Sequence, residues 1–222
     1  MNIKSYIIDS ENITGFSEYY NRLPKYFQKR VDIKHFQKEK NLSLCGGLLL
    51  DYVLKEQGND LFLRDIQVGD NGKPYFADMT EFQFNISHSG TKVFLAVSEN
   101  NVGCDVEFIR DVNMKIADRY FSENEKLYIK NAQNEAKQKE RFFDLWTLKE
   151  SFLKVRGAGL SLPLTSFDIL IDDEIRIVQN AYPCEYKFGL FDFNDGYKYA
   201  ICAENAKNNV ISEPKLLNFN DI

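Results

Sequence analysis

Between residues 41 and 57 the apolar positions recur at helical spacing. Leu42, Leu44, Cys45, Leu48, Leu49, Tyr52 and Val53 form one wide stripe, and Gly58 follows where a helix would stop. The period then shortens. Residues 61–68, 82–86, 92–98 and 102–108 are short β-type runs, set apart by turn-forming clusters such as Gly69-Asp70-Asn71-Gly72 and Glu99-Asn100-Asn101. They predict a small antiparallel sheet. After Arg110 helical spacing returns in two pieces, the longer over residues 135–156 with its stop at Gly157. Strand-like runs resume at 166–171, 175–178, 185–191 and 197–203. A helix followed by strands therefore occurs twice, which predicts an α+β fold divided near residues 100–103, into a unit of residues 1–102 and a unit of residues 103–222. No Pro- or Ser-rich linker separates the two, so they must pack closely.

Composition narrows the function. The chain has 222 residues, 44% of them hydrophobic and 14% aromatic, enough to build a core. Lys and Arg number 28 against 33 Asp and Glu, a formal charge of −5, which removes the electrostatic case for a nucleic-acid partner. Residues 1–10 alternate apolar and polar types, unlike the basic start and apolar run of a signal peptide. No apolar run approaches the roughly 20 residues that span a bilayer. A cytoplasmic protein without a membrane partner is expected. Cys45, Cys104, Cys184 and Cys202 lie far apart and lack zinc-ligand spacing, so free, buried thiols are expected.

Three segments carry candidate chemistry. In Val102-Gly103-Cys104-Asp105-Val106-Glu107, strand alternation puts Asp105 and Glu107 on one face. Their roots lie about 6.5–7 Å apart, close enough to converge on one hard cation while leaving room for waters and phosphate oxygens. A D-x-E alone is more often the wet face of an ordinary strand. In the helix through Trp146-Thr147-Leu148-Lys149-Glu150-Ser151-Phe152-Leu153-Lys154, Glu150 and Lys154 are four apart and share a side. That pair reads either as a surface ion pair or as a carboxylate near a metal with a lysine aimed at a phosphate, and Trp146 reads as a core anchor. The third segment joins Gly72-Lys73-Pro74 to Phe84-Asn85-Ile86-Ser87-His88-Ser89. His88 is one of two histidines and sits between serines near a strand end; taken alone it reads as a locally bonded turn residue, and Lys73 as a solvated lysine.

Together, in order and spacing, these segments resemble the Sfp-type 4′-phosphopantetheinyl transferases: a G-K-P, an F-N-x-S-H-S, a G-x-D-x-E, and a W-x-x-K-E-x-x-x-K leading into G-x-G-L-S. The motifs span residues 43–167. The resemblance implies two similar subdomains related by an approximate twofold axis, each a small antiparallel sheet packed with a long helix, with coenzyme A in the cleft between them. It implies a Mg²⁺-dependent enzyme that transfers 4′-phosphopantetheine from coenzyme A to a serine of an apo acyl or peptidyl carrier protein and releases adenosine 3′,5′-bisphosphate.

By position, the resemblance implies Asp105, Glu107 and Glu150 as metal ligands, Glu150 and Lys154 as catalytic groups, and Ser43, Lys73, Ser87, His88 and Lys154 as coenzyme A contacts. The basic stretch around Lys29 and Arg30 is a further candidate for phosphate contacts. One departure stands out: Cys104 replaces the usual Ile or Val. A monomer is expected, because two subdomains in one chain complete the cleft. Two alternatives stay open: another Mg²⁺-dependent phosphotransfer enzyme, and a non-catalytic module that binds coenzyme A or a carrier protein.

Overall fold

The computed structural model describes residues 2–11, 13–157, 162–205 and 209–222. The apolar stripe first seen at residue 42 belongs to the third of three successive helices, α1 (Phe16–Asn21), α2 (Lys25–Asp32) and α3 (Gln37–Glu56). Helix α3 buries Leu44, Cys45, Leu48, Leu49, Leu50, Val53 and Leu54. These meet Tyr6, Ile8, Phe84, Val93, Leu95 and Val97 in one hydrophobic core. The latter come from a sheet of β1 (Lys4–Asp9), β4 (Gln83–Ser89), β5 (Lys92–Ser98) and β11 (Lys215–Leu217), in the order β11-β1-β5-β4. Neighbours are antiparallel except β11, which runs parallel to β1. A small hairpin of β2 (Ile66–Val68) and β3 (Pro74–Phe76) flanks it.

The second half repeats the plan. Helices α4 (Lys115–Tyr120), α5 (Glu123–Lys130) and α6 (Glu135–Arg156) precede a hairpin of β7 (Asp168–Ile171) and β8 (Ile175–Val178). The sheet that α6 covers is β6-β10-β9, from β6 (Val102–Phe108), β10 (Tyr197–Glu204) and β9 (Tyr186–Phe191). The ends of α6 are chemically marked. The Asn134 side chain accepts from the Lys137 N–H at 2.9 Å, and Gly157 closes the helix in the left-handed conformation at φ +57°. Phe142, Phe143, Leu145, Leu148, Phe152 and Leu153 face the core.

A third core joins the halves. Ile7, Phe94 and Ala96 of the first sheet, with Ile3 just ahead of β1, pack against Val102, Cys104, Val106, Tyr199, Ile201 and Ala203 of the second. The sheets therefore lie face to face through apolar side chains, and their edges meet at β4 and β6.

Some expectations shift. The helical stretch after Arg110 is three helices, because the Ser122–Glu125 capping box starts α5 anew. Residues 61–63 and 164–166 form 3-10 turns ahead of shorter strands; in the first, the Asp60 carboxylate accepts from the Phe62 N–H at 2.9 Å and bends the chain. The thiols are free, but Cys184 is half-exposed rather than buried. Gly159, Leu160 and Ser161 of the G-x-G-L-S motif lie outside the described residues. No helix among the described residues is long and apolar enough to cross a membrane.

Candidate active site

The site begins with a glycine. A Cβ on Gly103 would run into the Ser151 carbonyl and the Val155 amide, both backbone atoms of α6. Only a residue without a side chain lets α6 lie this close to β6. Two residues on, alternation points Asp105 the same way as Gly103, and Glu107 follows it. Glu150 and Lys154, one helical turn apart on α6, come down over the same strand.

These groups share one cleft of 420 Å³, walled by Leu42, Ser43 and Gly46 of α3, Ile86, Ser87 and His88 of β4, Asp105 and Glu107 of β6, and Trp146, Glu150 and Lys154 of α6. Tyr26 and Arg30 of α2 close one side, the guanidinium 5.8 Å above the Tyr26 ring. The sequence pattern had singled out neither Tyr26 nor the cleft face of Trp146. Trp146 is half-buried, stacked on Phe142 at 5.9 Å, and it lines the cleft as well as anchoring the helix.

Lys154 is the hub. Its ammonium donates to Asp105 Oδ1 at 2.5 Å and to the Ser87 hydroxyl at 2.9 Å. Ser87 in turn donates to Asp105 Oδ1 at 2.9 Å, so Lys154, Ser87 and Asp105 form a closed triangle. Next to it the Ser89 hydroxyl donates to Glu107 Oε2 at 3.0 Å.

Electrostatics follow from crowding. Burial raises the Asp105 pKa above the usual carboxylate range, against the pull of Lys154. Burial and the Asp105 charge raise Glu107, and the same two causes raise Glu150. Burial alone would lower Lys154, yet the charge and hydrogen bond of Asp105, with Cys104 and Glu150 nearby, together outweigh it and the net shift is upward. His88, exposed at the rim, is lowered by partial desolvation and by the charges of Lys154, Lys34 and Arg30. The cleft thus has an acidic floor and a cationic edge, chemistry suited to a phosphate-bearing substrate.

Of the residues singled out from sequence, Ser43, Ser87, His88, Asp105, Glu107, Glu150 and Lys154 are brought together here. Lys73 is placed differently. It borders an adjoining groove that shares Arg30, Pro74, Glu150 and Lys154 with the cleft, and its ammonium donates to the carbonyls of Val102 at 2.8 Å and Val155 at 3.3 Å. Lys29 is exposed on α2 and does not line the cleft. Cys104 faces the inter-sheet core, away from the acids.

Comparison with known proteins agrees with this chemistry. Residues 101–202 match the family model described as the 4′-phosphopantetheinyl transferase superfamily, and residues 12–100 match that of the 4′-phosphopantetheinyl transferase N-terminal region. The 4′-phosphopantetheinyl transferase Sfp of Bacillus subtilis (strain 168) is 34% identical over 184 residues, covering 79% of this chain and 80% of the relative. The ffp transferase of Bacillus subtilis shows the same identity and coverage. The gsp transferase of Aneurinibacillus migulanus is 36% identical over 175 residues, covering 75% of this chain and 70% of the relative. The chain belongs to the 4′-phosphopantetheinyl transferase family. It is accordingly an enzyme that transfers the phosphopantetheine group of coenzyme A to carrier proteins.

Proposed function

We propose that this cleft performs the transfer with Mg²⁺ held by Asp105, Glu107 and Glu150, and that the acceptor is a serine of an apo acyl or peptidyl carrier protein. The observation that carries the reading is the meeting of three carboxylates with Lys154 in one cleft. The donor set suits the cation. Among the described residues Asp105 Oδ2 is buried without a hydrogen-bond partner; burial holds all three acids above their ordinary range, and the Asp105 charge adds to the rise at Glu107 and Glu150. These are hard oxygen donors short of positive charge. Among the described residues no three His, Cys, Asp or Glu side chains stand gathered as they would around an ion, so the reading requires Asp105, Glu107 and Glu150 to close on Mg²⁺, with waters and substrate phosphate oxygens completing its coordination.

Held by Asp105, Glu107 and Glu150, Mg²⁺ would supply positive charge to offset that of the coenzyme A phosphates. The protein's own groups do the rest. Ser43, His88 and the Arg30 edge receive the nucleotide end of coenzyme A. Lys73 has two of its three ammonium protons on carbonyls and one left for a phosphate of that nucleotide. Ser87 and Lys154 lie at the reacting phosphate. The carrier serine oxygen attacks the phosphorus that bears pantetheine; the new O–P bond forms as the P–O bond to adenosine 3′,5′-bisphosphate breaks, and the nucleotide leaves with the electron pair. The serine proton passes to Glu150, directly or through one water. Lys154 offsets the charge gathered on the phosphoryl oxygens during transfer. Both cleft walls come from one chain, so one chain suffices for the transfer, as a monomer.

Incubation with coenzyme A, Mg²⁺ and a panel of apo carrier proteins, read by intact mass, tests this. The carrier gains one phosphopantetheine only with Mg²⁺ present, and the gain disappears in Asp105→Ala. Coenzyme A binding without any carrier gain would favour a binding module instead. Glu150→Gln lowers turnover at saturating Mg²⁺ by about 10²-fold or more if Glu150 is the base; normal turnover would remove that role.

A further inference from the structure

The edges of β4 and β6 meet in different sheets, so no backbone ladder joins them and side chains must align them. From Asn85 onward, every second residue of β4 does so. Asn85 Oδ1 accepts from the Cys104 N–H at 2.9 Å, the Ser87 hydroxyl donates to Asp105 at 2.9 Å, and the Ser89 hydroxyl donates to Glu107 at 3.0 Å. Ser89 makes one contact more: it accepts from the Phe108 N–H at 3.1 Å. That contact fixes the hydroxyl's orientation. A hydroxyl has a single proton, and with the Phe108 amide occupying an acceptor lobe the proton is directed at Glu107 Oε2. Lys198, directly across from Glu107 in the β6–β10 register, makes its ion pairs with Asp144 at 3.0 Å and Asp192 at 2.7 Å.

We propose that Ser89 is a positioning residue: it locks the Glu107 carboxylate in one rotamer by taking up a single oxygen, and so presents the group to a divalent cation. The role rests on the metal reading above and goes beyond it, since it assigns the second serine of the S-H-S segment to the acid floor rather than to the nucleotide. Half-exposed Phe108 can exchange its lost partner for water, so Ser89→Ala is expected to fold.

The test measures Mn²⁺ binding, by calorimetry or the electron paramagnetic resonance of the free ion, to wild type, Ser89→Ala and Ser89→Thr, each with saturating coenzyme A. Loss of an outer partner of a ligating carboxylate weakens metal affinity by about tenfold. The expected result is that loss in Ser89→Ala, near-wild-type affinity in Ser89→Thr, an unchanged KM for coenzyme A at saturating metal, and thermal midpoints that agree among the three. Wild-type affinity in Ser89→Ala overturns the Ser89 role and leaves the metal reading standing. Equal weakening in both variants, with lowered midpoints, overturns it in favour of a purely structural contact. No Mn²⁺ binding by the wild type would overturn the metal reading itself, and this role with it.

Discussion

Lys154 lines the cleft and Lys73 the groove beside it, and their surroundings drive them in opposite directions. Lys154 faces Asp105 at 2.5 Å and its pKa rises. Lys73 faces two carbonyl oxygens and, among the described residues, no carboxylate within ion-pair reach, and burial lowers its pKa to about 8. The sign for stability follows. An unfolded lysine titrates near 10.4, so between about pH 8 and pH 10 the unfolded chain binds more protons at this position than the folded one. Stability contributed at Lys73 therefore rises with pH across that window, as the buried charge is relieved. Thermal midpoints measured from pH 7 to pH 10 in wild type and Lys73→Met should show the wild type gaining on the variant above about pH 8; parallel curves would mean that Lys73 titrates normally. Sequence alone could nominate Lys73 from its G-K-P setting, but it could not show what the amine touches. Its partners are backbone carbonyls 29 and 82 residues away along the chain, which no local pattern encodes.

Helix α6 shows how much an element's pattern can say. Its span, its glycine stop and the shared side of Glu150 and Lys154 were legible, because caps and helical periodicity are local physics. Its rotation about its own axis was not. Lys149, wholly buried, donates to Glu125 Oε1 at 2.5 Å and to the Phe167 carbonyl at 2.7 Å, so the residue before Glu150 is pinned into the second core and Glu150 must face the cleft. A buried lysine reads from sequence as an exposed one; its partner lies on α5, 24 residues away. The distance between α6 and β6 is set from the other side, by Gly103. Gly103→Ala places a methyl group against the Ser151 and Val155 backbone, which cannot move aside as a side chain can. Overpacking of this kind costs about 1–3 kcal/mol. Because α6 must lift, transfer activity should fall by about 10²-fold, well beyond what the unfolded fraction accounts for. A Gly103→Ala enzyme that melts early but keeps wild-type turnover per folded molecule would show that helix-to-strand spacing does not set the chemistry.

The two halves are built alike yet are not free to move as separate bodies. Strand β11 carries the end of the chain back beside β1, Ile3 bridges to Ile211, and the third core seals sheet against sheet. This interlock was the least visible feature of the sequence. Residues 3–9 and 215–217 are short and widely separated, and their pairing brings together chain segments some two hundred residues apart. The repeated helix-then-strand order suggested two units, and the structure gives each sheet its own long helix. What the order could not convey is that the wall of each half is completed by the other, with β4 supplying Ser87 and Ser89 to acids on β6. A cleft divided in this way works only while the joint holds, so the halves should unfold together. The single tryptophan provides the measurement. Trp146 lies in the second half, packed on Phe142, Tyr120 and Phe121, and reports chiefly on that half, whereas far-ultraviolet circular dichroism reports on both halves. In a urea titration the two signals should share one midpoint and one slope, as a two-state transition requires. Phe94→Ala, which removes a fully buried ring from the inter-sheet core, should cost about 3–5 kcal/mol. It should also separate the two midpoints, because it loosens the joint while leaving each half its own core. Coincident midpoints in that variant would place the cooperativity elsewhere, in the seam of side chains between β4 and β6.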